Sequence, residues 1–174
     1  MQDLTGQLPL IHPKGLSQMQ QMQSSLKFNL YLLSNLPAAF FLGIKVDTIT
    51  PEQCITRLPY NWYTKNPFRS TYFAAQIAAA ELSTGLPAAV ALTGKPSTAM
   101  LLVDVQSSFL KKADQTTYFH CNQARQVQEC INNVIQEDKA QTITMESEGR
   151  TAEGLLVSKT QFTWSFKKRR SASK

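Results

Sequence analysis

Residues 71–84, with the sequence Thr-Tyr-Phe-Ala-Ala-Gln-Ile-Ala-Ala-Ala-Glu-Leu-Ser-Thr, decide the fold that we expect for this chain. Alanine on most faces lets neighbouring backbones approach closely, so a helix here is expected to be wrapped by other elements rather than laid on a surface. Ser70 or Thr71 can cap the start of this helix, and Gly85 followed by Pro87 predicts its end. A helix of this length would be about 20 Å long.

Glu81 is the charged residue of this alanine-rich segment. Its neighbours three and four positions away are Ile77, Ala78, Thr84 and Gly85, none of which is a cation. An ionised carboxylate in a buried helix is costly unless it is paired, and burial raises its pKa toward neutrality, as a general base requires. Two alternatives stay open: Glu81 lies on a solvated edge of the helix, or it pairs with an arginine from elsewhere in the chain.

The start of this helix offers a second chemical feature. The backbone amides of residues 72–74 have no partner within a helix, and they carry the positive end of its dipole. Such donors can polarise a carbonyl group, as an oxyanion hole does. Every helix has them, so the feature gains meaning only beside Glu81.

The N-terminal part of the sequence predicts one more helix. Residues 1–16 are expected to be irregular. Ser17 and Gln20 then fit a capping box, and apolar residues at helical spacing predict an amphipathic helix over about 18–35, which Pro37 ends. The apolar residues of this pattern are Met19, Met22, Leu26, Leu30 and Leu33.

The rest of the chain is rich in strand patterns, in which apolar and polar residues alternate. The predicted strands cover residues 42–58 as a hairpin, 99–110, 116–122, 141–151 and 155–166, and a helix stripe covers 127–135. In the 99–110 strand, one expected face carries Val103, Val105 and Phe109. The other expected face carries Leu102, Asp104 and Gln106. Strands grouped in this way, without alternating strand–helix units, predict an α+β fold with an antiparallel sheet.

Composition narrows the class of protein. The 174 residues suit one domain, and no apolar run reaches the roughly 18–20 residues that span a bilayer, so no membrane partner is expected. Residues 167–174 carry +5 of the net charge of +6, and they form either a solvated tail or a phosphate-attracting arm. Because the rest of the chain is nearly neutral, nucleic-acid binding by the folded body is not expected. Three cysteines without C-x-x-C spacing and two scattered histidines predict no metal site and a reducing, cytoplasmic setting.

Residues 66–75 and the acid at Glu81 resemble the motif region of hotdog-fold acyl-CoA thioesterases, closest to the phenylacetate-pathway type and a related group of uncharacterised function. In those families an Asn lies six residues before His-Gly-Gly, and an acid follows the second Gly by seven residues. Here the Asn is Asn66, and the three motif residues are Tyr72, Phe73 and Ala74. The likeness spans about residues 36–167, with residues 1–35 as an added leader and helix and residues 168–174 as a basic tail.

The resemblance implies a curved antiparallel sheet wrapped around a central alanine-rich helix, in a homodimer or a dimer of dimers. It also implies hydrolysis of an acyl-CoA-type thioester, with no cofactor besides the coenzyme A of the substrate. Glu81 would activate water or attack the thioester itself, while amides near Phe73 and Ala74 hold the carbonyl oxygen. Asn66 would orient the water or fix its loop, unless it is only a turn-forming residue.

The resemblance also assigns substrate contacts. They are Tyr72, Phe73, Ala74, Lys111 and Lys112, with the two lysines meeting coenzyme A phosphates or else only solvated. Because two aromatic residues and an alanine replace His-Gly-Gly, the sequence leaves a second possibility open. In that alternative, the same fold binds an acyl group or acyl-CoA without hydrolysing it.

Overall fold

A computed structural model describes residues 9–169 of the chain, and in that range it contains five α-helices and six β-strands. In chain order they are α1 Pro13–Gln23, α2 Ser25–Asn35, α3 Pro37–Phe41, β1 Lys45–Ile49, β2 Cys54–Leu58, α4 Phe73–Leu92, β3 Thr98–Phe109, β4 Thr117–Cys121, α5 Ala124–Glu137, β5 Gln141–Arg150 and β6 Leu156–Lys168. The predicted strands and the α5 helix are confirmed to within a few residues.

The six strands form one curved antiparallel sheet in the order β1-β2-β4-β5-β6-β3. β1 and β3 are therefore the two edges, although β3 comes after α4 in the chain. The α+β class and the curved sheet around a central helix are as predicted. The predicted basic tail begins within β6, which continues to Lys168, and residues 170–174 lie outside the described range.

Helix α4 forms the core on one face of the sheet. Ala79 and Ala80 are fully buried, and the hydroxyl of Thr56 on β2 donates a hydrogen bond of 2.6 Å to the Ala79 carbonyl. The hydroxyls of Ser83 and Ser147 on β5 lie 2.8 Å apart. Such short distances require side chains no larger than alanine and serine at these positions, so the alanine-rich segment is wrapped as predicted.

The predicted end of this helix is wrong. α4 runs through Gly85 and Pro87 to Leu92 and has 20 residues, about 30 Å, instead of stopping at 84. Leu86, Ala88, Val90 and Ala91 are buried, and this packing outweighs the local stop signal. The predicted cap is also wrong, because Tyr72 occupies the N-cap position and makes no side-chain capping bond.

By length and mean hydropathy, α4 is apolar enough to cross a membrane. However, 72% of its apolar window is buried inside this protein. It is therefore the core helix of a folded domain.

The predicted N-terminal helix is divided in two. α1 begins at Pro13, where the His12 side chain accepts a hydrogen bond from the Lys14 amide, so the Ser17 capping box does not start it. Ser24 has extended backbone angles and separates α1 from α2. Pro37 does not end a helix but begins α3, since proline fits the first helical position well.

The faces predicted for β3 are wrong at Leu102, because the pairing with β6 shifts between Leu102 and Asp104, whereas the predicted alternation holds from Asp104 to Phe109. Leu102 lies opposite Trp164, and Val105 lies opposite Phe162. Since residues 162 and 164 point to the same face, Leu102 and Val105 share the face that carries α4. The extra residue of this bulge was not visible in the alternating pattern.

Candidate active site

Glu81 lies in the middle of α4, on the side directed toward β6, and it is half-buried. Within residues 9–169 its carboxylate has no hydrogen bond and no ion pair, so it has no arginine partner there, and the partial exposure places it between the buried helix and the solvated edge that the sequence left open. Burial raises the pKa of this carboxyl group to about 7. Half of the molecules would then carry an ionised, unpartnered Glu81 near neutral pH.

Trp164 on β6 forms the wall beside this carboxylate. The space left by the missing side chain of Gly85 brings both groups together: a Cβ atom there would lie 2.9 Å from Glu81 Oε1 and 3.4 Å from Trp164 Cζ2. The indole N–H donates to the Thr84 hydroxyl at 3.0 Å, and that hydroxyl donates to the Glu81 carbonyl at 2.9 Å. The buried indole is therefore tied to the same turn of helix that carries the acid.

The start of α4 supplies the free donors that the sequence predicted. The amides of Phe73 and Ala74 have no hydrogen-bond partner in the described residues, whereas the Tyr72 amide donates to the Thr64 carbonyl. The next amide, Ala75, already donates back to Tyr72. Two N–H groups therefore remain at the positive end of the helix dipole.

Asn66 organises the loop before α4. Its side-chain oxygen accepts hydrogen bonds from the amides of Phe68 and Ser70, and its amide group donates to the Ser70 hydroxyl. Arg69 within this turn has a φ of +59°, a strained angle for a non-glycine residue. These contacts favour the loop-fixing role for Asn66, and orientation of a water molecule by it stays a prediction.

The predicted substrate contacts gather around the helix start. Tyr72 and Phe73 are about half exposed, and their rings pack edge to face, with Phe73 also against Phe109 of β3. Lys111 and Lys112 are exposed in the loop after β3, and the next residue, Ala113, accepts a hydrogen bond of 2.6 Å from the amide of Thr71. This bond holds the lysine loop against the start of α4.

The predicted base and the free amides are separated along α4. The Ala74 amide and Glu81 are seven residues apart, which is about 11 Å along the helix axis. The free N–H bonds also point away from the helix body, so an oxygen bound to them lies still further from Glu81. A general base must reach the water that attacks that same carbonyl group. A single thioester must therefore span this separation, or a second copy of the chain must supply one of the two groups.

Sequence reasoning placed Thr84 and Gly85 next to Glu81 along the helix but gave neither a role beside the acid, and it did not single out Trp164. Gly85 was interpreted as a stop signal, and Trp164 lies 83 positions after Glu81, in a strand with an ordinary alternating pattern. No local signal in the sequence could have joined them. In the described part of the chain, no three His, Cys, Asp or Glu side chains are placed to hold a metal ion.

Residues 28–166 match the family described as "Domain of unknown function (DUF4442)". No curated protein matches the chain. A solved structure from Pseudomonas aeruginosa, described as a protein of unknown function and "Probable Thioesterase", is similar with a TM-score of 0.67 at 14% identity, covering 86% of this chain and 99% of the other.

Two further solved structures are similar to the chain. A thioesterase from Haemophilus influenzae has a TM-score of 0.59 at 16% identity, covering 84% of this chain and 94% of the other. A mutant thioesterase from Pseudomonas aeruginosa has a TM-score of 0.61 at 12% identity, covering 87% and 94%. At these identities the likeness establishes the fold alone. The chain belongs to the DUF4442 family, of uncharacterised function, and has the hotdog fold seen in thioesterases.

Proposed function

We propose that the protein hydrolyses an acyl-CoA-type thioester with Glu81 as the general base. The observation that supports this most is the half-buried, unpartnered carboxylate, whose pKa burial raises to about 7, on a helix whose first amides are free. A general base is most effective when its pKa lies near the working pH. A partly buried acid without a partner lowers the stability of the fold, so a purely structural role does not explain its presence.

The proposed reaction uses one water molecule. Glu81 takes a proton from the water molecule while the water oxygen bonds to the carbonyl carbon of the thioester. Backbone amides stabilise the negative charge that develops on the carbonyl oxygen. The C–S bond then breaks, and the departing thiolate recovers the proton from Glu81. In the variant of this mechanism that the resemblance also allows, the carboxylate attacks first, and water cleaves the resulting anhydride.

Because the backbone of Ala74 and that of Glu81 lie about 11 Å apart along α4, the proposal includes a homodimer in which one copy supplies the base and the other the amides. The free edge of β3 supports this: it extends over 12 residues and exposes Leu101, Val103 and Val105. Leu102 near one end faces Trp164 and so lies on the Glu81 side, while Phe109 at the other end contacts Phe73. Antiparallel pairing of two β3 edges would therefore bring Glu81 of one copy toward the helix start of the other.

The same arrangement gives the substrate contacts their roles. Tyr72, Phe73 and Ala74 would line the place where the acyl group enters, and Lys111 and Lys112 would attract the phosphates of coenzyme A. Lys112 is only loosely paired, with its Nζ 3.9 Å from the Asp114 carboxylate. The three cysteines are free and buried, which fits the cytoplasmic setting that we expect.

The test is hydrolysis of a panel of aliphatic and aromatic acyl-CoAs, followed as release of free thiol. Glu81→Gln keeps the size of the side chain but removes the base, so we expect kcat/KM to fall by about 100-fold or more. Glu129→Gln, an exposed glutamate on α5, is the matched control and should keep its rate. Equal hydrolysis by the wild type and Glu81→Gln would overturn the proposal.

A second candidate function is binding without turnover. It is favoured by the exposed aromatic pair Tyr72–Phe73, which stands where the resembling thioesterases have histidine and glycine. Calorimetry that detects acyl-CoA binding, together with no thiol release by any preparation, would select this function over hydrolysis.

A further inference from the structure

Gly85 is a glycine that its backbone does not require. It lies inside α4 and is not among the described residues with positive φ, so alanine could adopt the same conformation. Glycine destabilises a helix interior relative to alanine. Its presence is explained by space, because a methyl group here would collide with Glu81 Oε1 at 2.9 Å.

Trp164 closes the same space from the sheet. Its Cζ2 and Cη2 atoms would lie 3.4 and 3.6 Å from that methyl group, and its indole N–H is fixed by the Thr84 hydroxyl. Thr84 in turn donates to the backbone of Glu81, so the ring cannot turn away without losing a buried hydrogen bond. The vacant position at Gly85 is thus bordered on one side by the Glu81 carboxylate and on another by the edge of an anchored aromatic ring.

No charge opposes or supports this acid. α4 carries no other charged residue, and the charged residues of β5 and β6 nearest along the sheet, Glu146, Glu148, Arg150 and Lys159, alternate with the buried residues and so lie on the opposite face. Asp104 of β3 lies opposite Thr163, also on that face. The raised pKa of Glu81 has burial as its cause.

We propose that Gly85 and Trp164 are positioning residues, which hold the Glu81 carboxylate in one place and limit its contact with water. The effect of these residues on catalysis rests on the proposed function. Their effect on the position and the pKa of the Glu81 carboxylate can be measured without any activity. Gly85 leaves the space that the carboxylate occupies, and Trp164 limits the contact of the carboxylate with solvent.

The test uses Gly85→Ala and Trp164→Phe in the full chain. Trp164→Phe admits water beside the carboxylate, so the pKa of Glu81 should move down toward its ordinary value. The acidic limb of the kcat/KM profile should then shift to lower pH by about one unit, because each tenfold change in the ionisation constant is one pH unit. Gly85→Ala should keep the fold, because alanine favours helices, but lower kcat by about 10- to 100-fold through displacement of the carboxylate.

Phe166→Leu is the matched control. Phe166 is buried on the same face of β6 and lies opposite Met100, away from the acid, so this variant should lose stability and keep the pH profile of the wild type. Unchanged profiles and rates in both Gly85→Ala and Trp164→Phe, with Glu81→Gln inactive, would overturn the positioning roles while leaving the proposed function intact.

An NMR titration of labelled glutamate carboxyl carbons, with Glu81 assigned from its absence in Glu81→Gln, separates the two failures. If no variant hydrolyses thioesters but the resonance of Glu81 still titrates at lower pH in Trp164→Phe than in wild type, the positioning inference holds and the proposed function fails. A titration that is the same in both proteins overturns the inference without reference to activity.

Discussion

The two sides of α4 treat their buried polar groups differently. On the side that faces β2 and β5, Thr56 donates to the Ala79 carbonyl and Ser83 pairs with Ser147, so these hydroxyls have partners, although the side-chain oxygen of Gln76 has none in the described residues. On the side that faces β6, Glu81 has no partner in the described residues. The difference separates two uses of polarity in a core: paired hydroxyls stabilise and specify the packing, whereas an unpartnered acid is available for the chemistry that we propose.

The open side continues into the β3 edge, and there the largest effect is expected. Val105→Arg puts a charge in the middle of the strand that we expect to pair with a second copy, so the protein should become monomeric and lose at least about 100-fold of any thioesterase activity. Light scattering measures the mass, and the thiol-release assay measures the rate.

Leu30→Arg is the control for this variant. Leu30 is exposed on α2, which packs beside the other edge strand, β1, and it should leave the mass unchanged. Apolar side chains are exposed near both edges, but only β3 combines them with a long free backbone edge. Loss of the dimer in both variants would show that apolar surface, not the strand edge, drives assembly.

The next effect concerns Glu81 and pH. With a pKa of about 7 in the folded state against 4.5 as the ordinary value, the folded protein holds a proton that the unfolded chain releases between these pH values. Wild-type stability should therefore fall, relative to Glu81→Gln, as the pH rises from 4.5 to 7. Above pH 7 the variant should be more stable by about 2–3 kcal/mol, and below pH 4.5 the difference should vanish.

Urea unfolding of both proteins from pH 4 to pH 8 measures this difference. A constant gap between the two proteins over the whole range would show that the carboxylate is hydrated in solution, and a gap that grows toward low pH would reverse the sign that burial requires.

The smallest effect is expected on the satisfied side. Ser83→Ala leaves the Ser147 hydroxyl without its partner and should cost about 1–2 kcal/mol at every pH, with no change in catalytic pH dependence. Adding Ser147→Ala removes both groups and should recover part of that loss. If Ser83→Ala altered the acidic limb of the rate profile instead, the two sides of α4 would not be independent.

Local patterns predicted most of the secondary structure. Strand alternation and the apolar stripe of α5 depend on which side of each element is buried. The order of apolar and polar residues in the sequence determines that side directly. Boundaries were predicted less well where packing competes with local preference: α4 passes through Gly85 and Pro87, and the N-terminal helix breaks at Ser24. The β3 bulge places Leu102 on the same face as Val105, contrary to the prediction, because one inserted residue is not visible in an alternating sequence pattern.

The candidate site divides in the same way. Glu81 and the free amides of Phe73 and Ala74 were predicted from the sequence, because a lone acid among alanines and the start of a helix are local facts. The wall beside the acid, formed by Trp164 across the space at Gly85, was not predicted. That contact joins residues about 80 positions apart, and only the pairing of β6 next to α4 determines it.

By itself, the sequence determined that a small-residue helix would be buried and would carry one acid, since side-chain size and charge are properties of the residues. Only the tertiary structure decided that this acid is half-buried, without a partner in the described residues, and next to the same space as an anchored indole. Hydration and distance depend on which surfaces meet, and a chain settles that only when it has folded.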